Sequence, residues 1–330
     1  MSEKDPSFAH RAIFEAGREV IEKRDLYPRK FRAIVAEIST TERLRLHHLF
    51  QMLSEVTDPK GPFELTPEIK AQLDHAKKIF GLDYMGPEQI EEAWGFWPKQ
   101  VPPLPESFTP ERLKRAKKLG MMLILHLDKT PGDTPWTMES MQFEFGDADK
   151  RIPFKMGEFK SDDFYDKDTP RFGWKLVGKK VLPDSCYKDE VQQLEVIVNY
   201  LKNTLFKGMK LPADYKAAID EFKAKKAEIR KLIKDKNLPE AAKMLEALAL
   251  SKLTCGLPVE YMQTFETYYQ NRTKNREEFL LYENAFQTMR RSNKGDLVYF
   301  YCPHAYGVGA YVRQSEEGCS HSGIFLMLAS

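Results

Sequence analysis

The sequence predicts an α+β protein: an N-terminal helical domain, residues 1–108, followed by a second domain, residues 109–330, whose helices are inserted at about 212–285 before a set of C-terminal β-strands. Three observations predict it. Hydrophobic residues recur on a helical period behind repeated helix-start signals in the first third of the chain. A short unbroken apolar run, residues 120–127, has the length of a buried strand. From Val298 onward there is no Lys, Asn, Asp or Thr, and short Tyr- and Gly-rich segments of β character take over.

In chain order, residues 7–24 place Phe8, Ile13, Val20 and Ile21 on a helical period among charges. Ser39 and Thr40 ahead of Glu42 start a second helix, which carries Leu44, Leu46, Leu49, Phe50 and Leu53. Thr66-Pro67-Glu68 and Thr109-Pro110-Glu111 repeat one entry signal: a hydroxyl cap, Pro at the first helical position, and an acid facing the positive helix end. Between them the Pro-rich run 98–110 cannot continue a helix and reads as a linker. Residues 120–127, GMMLILHL, form a buried strand, which is expected to pair with the C-terminal strands because buried backbone needs partners. Residues 128–170 read as loop with a short helix at 137–141, and 172–182 as a second strand or hairpin. Helices return at 190–205, 215–234, 239–250 and 258–269, the middle two as an antiparallel pair in which Lys226 interrupts the apolar stripe. LVYFY, GAYV and GIFLML then read as closing strands.

Composition narrows the function classes. With 51 basic and 49 acidic residues the formal net charge is +2, which makes no global case for nucleic acid. The first twenty residues lack the apolar core of a signal peptide, and the longest apolar run, residues 121–125, is too short to cross a bilayer, so a cytoplasmic protein without membrane insertion is expected. Four widely spread cysteines, Cys186, Cys255, Cys302 and Cys319, do not make a disulfide framework, although a Cys302–Cys319 bridge is open to an oxidising compartment.

Residues 171–202, RFGWKLVGKKVLPDSCYKDEVQQLEVIVNYLK, resemble a group of uncharacterised bacterial proteins that share RFGW-x-LV-x-K-x-V-x-P, a helix ending in NYL, and a close of the form R-S-x-x-G-x-x-V before a Gly-, Tyr- and Ser-rich tail. Here that close is Arg291-Ser292-Asn293-Lys294-Gly295-Asp296-Leu297-Val298, and the likeness covers about 115–330. The ending is also similar to that of C-type-lectin-like domains of the formylglycine-generating-enzyme type, whose G-[IV]-R-[LFV] finish is replaced here by Gly323-Ile324-Phe325-Leu326. The resemblance implies a C-type-lectin-like second domain and, as in targets of diversity-generating retroelements, a variable tail over 290–330 rewritten by adenine-directed mutagenesis. Rewriting an Asn codon at its adenines can give Tyr, Phe, Cys, His, Ser, Gly or Arg but not Lys, Glu, Gln, Met or Trp. The tail is rich in the first set, and Gln314, Glu316, Glu317 and Met327 are then expected at fixed scaffold positions.

Tyr, Ser and Gly supply large contact area and adaptable hydrogen bonding at low entropy cost. The expected binding residues are therefore Tyr299, Tyr301, His304, Tyr306, Tyr311, Arg313, His321 and Ser322, over inward-facing Val298, Val312, Ile324 and Leu326. The partner would be a protein or surface ligand, with no cofactor, no metal and no catalysis. Two rival readings stand beside this. Cys302-x-His304 and Cys319-x-His321 could meet as a tetrahedral zinc site or serve a cysteine-dependent reaction, though structural zinc sites use C-x₂₋₄-C and H-x₃₋₅-H spacing. A helical intracellular adaptor with a purely structural C-terminal sheet is the other. The basic run 112–118 reads as a solvated helix face, His126 as an ordinary surface or satisfied core residue, and Trp94, Trp97, Trp136 and Trp174 as core or interdomain packing.

Overall fold

The computed structural model describes residues 65–94, 96–130, 133–145, 155–156, 162–272, 286–291, 297–301, 309–313, 323–324 and 326–328. The chain divides into two units, Met1–Pro62 and Phe63–Ser330, and everything described lies in the second. The helices expected at 7–24 and from Ser39 lie outside the described residues.

Helix α1, Pro67–Phe80, starts where the Thr66 hydroxyl accepts a hydrogen bond from the Ile69 amide, and it buries Leu73, Ala76 and Phe80 as one stripe. Strand β1, Tyr84–Met85, and helix α2, Pro87–Trp94, follow. Helix α3, Pro110–Lys118, repeats the first entry, with Thr109 accepting from the Arg112 amide. The Pro-rich run between α2 and α3, expected as a linker, lies on the core: Val101 and Phe108 are buried, and the Pro102 carbonyl accepts the Trp174 indole N–H at 2.9 Å. Elements on both sides of residue 108 thus share one core.

Strand β2, Met121–His126, is buried at every position, as a strand covered on both faces should be. Helix α4 (Met138–Phe145), strand β3 (Lys155–Met156) and the turn of helix α5 (Asp163–Asp166) precede strand β4, Gly173–Gly178. β2 runs parallel to β1 and antiparallel to β4.

Helix α6, Glu190–Tyr200, opens with a reciprocal capping box. Asp189 accepts from the Gln192 amide at 2.7 Å, and Gln192 accepts from the Asp189 amide at 3.0 Å. It ends in a wide π turn, Leu201–Leu205. Helix α7, Ala213–Lys234, buries Ile219, Phe222 and Ile229. Lys226, the break in that stripe, pairs with Glu195 of α6, which also holds Arg230 at 3.2 Å. The helix expected at 239–250 is two, α8 (Leu238–Ala247) and α9 (Ala249–Thr254), because buried Leu248 takes an extended ψ of 134° between them. Helix α10 spans Pro258–Arg272.

The closing strands are β5 (Phe286–Arg291), β6 (Leu297–Tyr301), β7 (Gly309–Arg313), β8 (Gly323–Ile324) and β9 (Met327–Leu328). They form a second sheet, ordered β3-β7-β6-β5-β8, except that β9 leaves it and completes the first sheet as β1-β2-β4-β9. The expected single strand GIFLML is thus split between two sheets. Buried Leu326 sits between its halves, and its carbonyl accepts from the Gly178 amide at 2.9 Å. The expected direct pairing of residues 120–127 with the C-terminal strands does not occur. β4 stands between β2 and β9, since β2 already spends its two edges on β1 and β4.

Candidate functional site

The second sheet carries half of the residues expected to bind. β6 and β7 are antiparallel with Tyr299 opposite Tyr311, Leu297 opposite Arg313 and Tyr301 opposite Gly309. Because successive strand residues alternate faces, Tyr299, Tyr301, Tyr311 and Arg313 occupy register positions of one face, and Val298 and its partner Val312 occupy the other. Val298 is fully buried, so the second face is covered at this point. Ile324 is also buried, yet it aligns through Gln287 with Tyr299, so the tyrosine face is covered where it reaches β8. There the Ile324 amide donates to the Ser185 hydroxyl at 2.9 Å and its carbonyl accepts from the Leu182 amide at 2.7 Å. His304, Tyr306, His321 and Ser322 lie outside the described residues, as do Cys302, Cys319, Gln314, Glu316 and Glu317.

A second constellation was invisible to motif reading. Helix α10 carries Glu260, Gln263, Thr264, Glu266 and Thr267, all buried. Glu260 sits at the third helical position and accepts from four N–H groups. Arg171 donates its backbone amide (3.0 Å) and Nε (2.9 Å) to Oε1 and its Nη2 (2.7 Å) to Oε2, while the Leu257 amide donates to Oε2 at 2.8 Å. Arg171 also donates to the Cys255 and Lys252 carbonyls at the end of α9, so one guanidinium clasps the end of one helix to the start of the next. Burial pushes the Glu260 carboxyl upward, but the hydrogen bonds and charge of Arg171 outweigh it and hold Glu260 below the usual carboxylate range.

His126 faces this carboxylate from β2. Thr264 gives its hydroxyl proton to the Glu260 carbonyl at 2.8 Å, so it can only accept from His126 Nε2, also at 2.8 Å. That fixes the tautomer: Nε2 carries the hydrogen, and Nδ1, with no hydrogen bond, stands 3.9 Å from Glu260 Oε1. Full burial drives the imidazole pKa down, Glu260 pulls it up, and Lys175 and Arg171 push it down again, with burial prevailing. Lys175 of β4, opposite Ile124 and therefore on the same sheet face as His126, is also buried and has its pKa lowered by burial first. Gln263 grips the Leu127 amide and carbonyl at 3.1 and 3.3 Å, and Thr267 accepts the Trp94 indole N–H at 2.8 Å. By sequence His126 reads as an ordinary surface or satisfied core residue with no acidic partner at ligand spacing; it is a core residue, and the acid near it is Glu260, on a helix far along the chain, where no spacing rule would look.

The basic run of α3 is only in part the solvated face expected: Lys114 and Lys118 are exposed, and the other three cations turn inward. Arg112 is buried within 4.9–5.5 Å of the Phe108, Phe206 and Tyr215 rings, Arg115 donates to the Leu205 and Lys207 carbonyls, and Lys117 lies 2.5 Å from buried Asp83. Lys179 reaches the same aspartate at 3.0 Å. Lys117 and Lys179 thus neutralise a buried aspartate, while Arg112 and Arg115 are spent on rings and carbonyls. Burial raises the Cys255 thiol to about 12, so it stays protonated near neutrality, and the Cys186 thiol is raised as well. Among the described residues no group of His, Cys, Asp and Glu could hold a metal ion, and no helix is long and apolar enough to cross a membrane.

Compared with protein-family models, with curated proteins and with solved structures, the chain has no match.

Proposed function

We propose that this protein is a non-catalytic recognition protein whose C-terminal sheet presents a variable binding face to a protein or surface ligand, on a C-type-lectin-like domain of the kind diversified by retroelements. The observation that carries the reading is the β6–β7 register. It sets Tyr299, Tyr301, Tyr311 and Arg313 on the face opposite buried Val298, so side chains there can change without disturbing the strand beneath. His304, Tyr306, His321 and Ser322 complete the proposed surface. The buried polar groups of α10 support a scaffold role for the rest of the unit: Glu260, Gln263, Thr264 and Thr267 are engaged by Arg171, the Leu127 backbone, His126 and Trp94.

The test is a library in which Tyr299, Tyr301, His304, Tyr306, Tyr311 and His321 are replaced by the residues reachable from an Asn codon, displayed and selected against unrelated proteins. Most members should fold, and specific binders should emerge with changes confined to these positions. A library that is mostly unfolded, or one that folds and yields no binder, refutes the proposal. In the genome, a reverse transcriptase beside a near-copy of the final coding segment is the companion expectation.

A further inference from the structure

A cleft of about 480 Å³ lies between the π turn Leu201–Leu205 and the first three turns of α7. That volume falls within the range of small-molecule sites. Its floor is apolar, made by Phe206, Met209, Leu211 and Ile219. Its rim carries Lys202, Lys216 and Lys223 against a single acid, Asp220. Asp220 is already engaged by Lys216 at 3.3 Å, and neither Lys202 nor Lys223 forms an ion pair among the described residues.

The local backbone explains how the two lysines come together. The π turn adds a residue to the last turn of α6, closed by the Phe206 amide on the Leu201 carbonyl at 2.8 Å, and single wide turns of this kind recur at functional sites. Arg115 and Arg112 anchor it from behind through the Leu205 carbonyl and the Phe206 ring. Gly208, at φ +75°, then reverses the chain into α7. Lys202 is thereby carried to the cleft that Lys223 lines from α7. The Lys202 ammonium is held below the usual lysine range first by its close approach to Lys223, then by slight burial and by the Lys223 charge, with Asp220 opposing. Two ammoniums brought together over an apolar floor repel until an anion bridges them.

Charge arithmetic selects the ligand. Three lysines and one aspartate leave two positive charges, which a carboxylate would half-neutralise and a phosphate monoester, at about −1.5 to −2, would match. We propose that this cleft binds a phosphate monoester carrying an apolar substituent, with the phosphate between Lys202 and Lys223 and the substituent on Phe206, Met209, Leu211 and Ile219. Lysine serves such groups as a point charge. The site is independent of the C-terminal sheet and stands or falls without it.

The full chain is titrated with hexyl phosphate, inorganic phosphate and hexanol, followed by calorimetry. Hexyl phosphate should bind saturably in the millimolar range or tighter, and more strongly than either fragment. Lys202→Gln/Lys223→Gln should weaken it by at least about tenfold, while Lys202→Arg, which keeps the charge, should retain most of it. Both lysines are exposed, so unchanged urea midpoints will show the variants folded. Vesicles containing phosphatidic acid separate the sources. Lysine-dependent binding to vesicles as well as to the ester assigns a lipid headgroup, and binding to the ester alone assigns a soluble metabolite. No saturation by about 10 mM ester, equal affinity for inorganic phosphate, or binding indifferent to the double variant overturns the proposal.

Discussion

Replacing Arg171 with Met is the sharpest test of the buried polar architecture. The change removes the Nε and Nη2 donors from Glu260 and the Nη1 and Nη2 donors from the Lys252 and Cys255 carbonyls, while the Arg171 and Leu257 amides remain. Glu260 has a side chain of zero exposure, so the lost partner leaves a buried carboxylate with half its donors. Breaking a buried pair from one side costs about 3–5 kcal/mol. For a unit of this size each kcal/mol moves Tm by about 2–4 °C, so a drop on the order of 10 °C is expected. The pH dependence is the discriminating readout. In the parent, Glu260 has a folded pKa below its unfolded value, so its contribution is complete above about 4.5 and is lost as pH falls further. Without Arg171, burial raises the same carboxyl, and its contribution is then lost as pH rises through the raised value. The deficit of Arg171→Met against the parent should therefore be larger at pH 8 than at pH 5. Urea unfolding followed by the fluorescence of buried Trp94, Trp136 and Trp174 measures both. A deficit under about 1 kcal/mol, or one that does not shrink toward pH 5, refutes the assignment of Arg171 as the partner that keeps Glu260 ionised.

Four further outcomes follow from the geometry. His126→Gln can still donate to Thr264, and because the His126 pKa is lowered, the parent should lose stability as pH falls below about 6.5; the variant's urea midpoint should be flatter there, and equal slopes would mean the imidazole is not held neutral. Gly173 has φ +120°, so Gly173→Ala should cost about 1–3 kcal/mol although nothing crowds its Cβ, and a neutral result in urea unfolding would deny the strain. A Cβ on Gly256 would sit 2.7 Å from Met327 Sδ and 3.0 Å from the Tyr261 ring, so Gly256→Ala should lower stability by about 1–3 kcal/mol, with Met327→Ala in the same chain recovering part of it in a double-mutant cycle. Protein purified without chelator should carry far less than one zinc per chain by elemental analysis; stoichiometric zinc released by Cys302→Ser would move the site to the two C-x-H pairs.

Local signals survived into the structure because their physics is local. Thr66 and Thr109 cap the helices they precede, the unbroken apolar run became β2, and the stripe of Val191, Leu194, Ile197, Val198 and Leu201 is the buried side of α6 and its π turn. Periodicity failed where a polar group is buried by a partner remote in sequence. Residues 258–269 place Glu260, Gln263, Thr264, Glu266 and Thr267 around a helix, which by composition belongs at a surface. Instead they are interior, because Arg171, His126 with the adjoining Leu127 backbone, and Trp94 arrive from three other segments to meet Glu260, Gln263, Thr264 and Thr267. The same holds for Arg112, whose charge is met by three aromatic faces drawn from the start of α3, the end of the π turn and α7. Partnerships of this kind bear on the resemblance as well. In the RFGW segment, Arg171 is the clasp, Gly173 the position with φ +120°, Trp174 the donor to Pro102, and the downstream Lys179 the partner of Asp83. Each residue of that motif to which the structure gives a job holds the scaffold together. A unit built this way keeps its most exacting polar residues inside, each met by a partner remote in sequence.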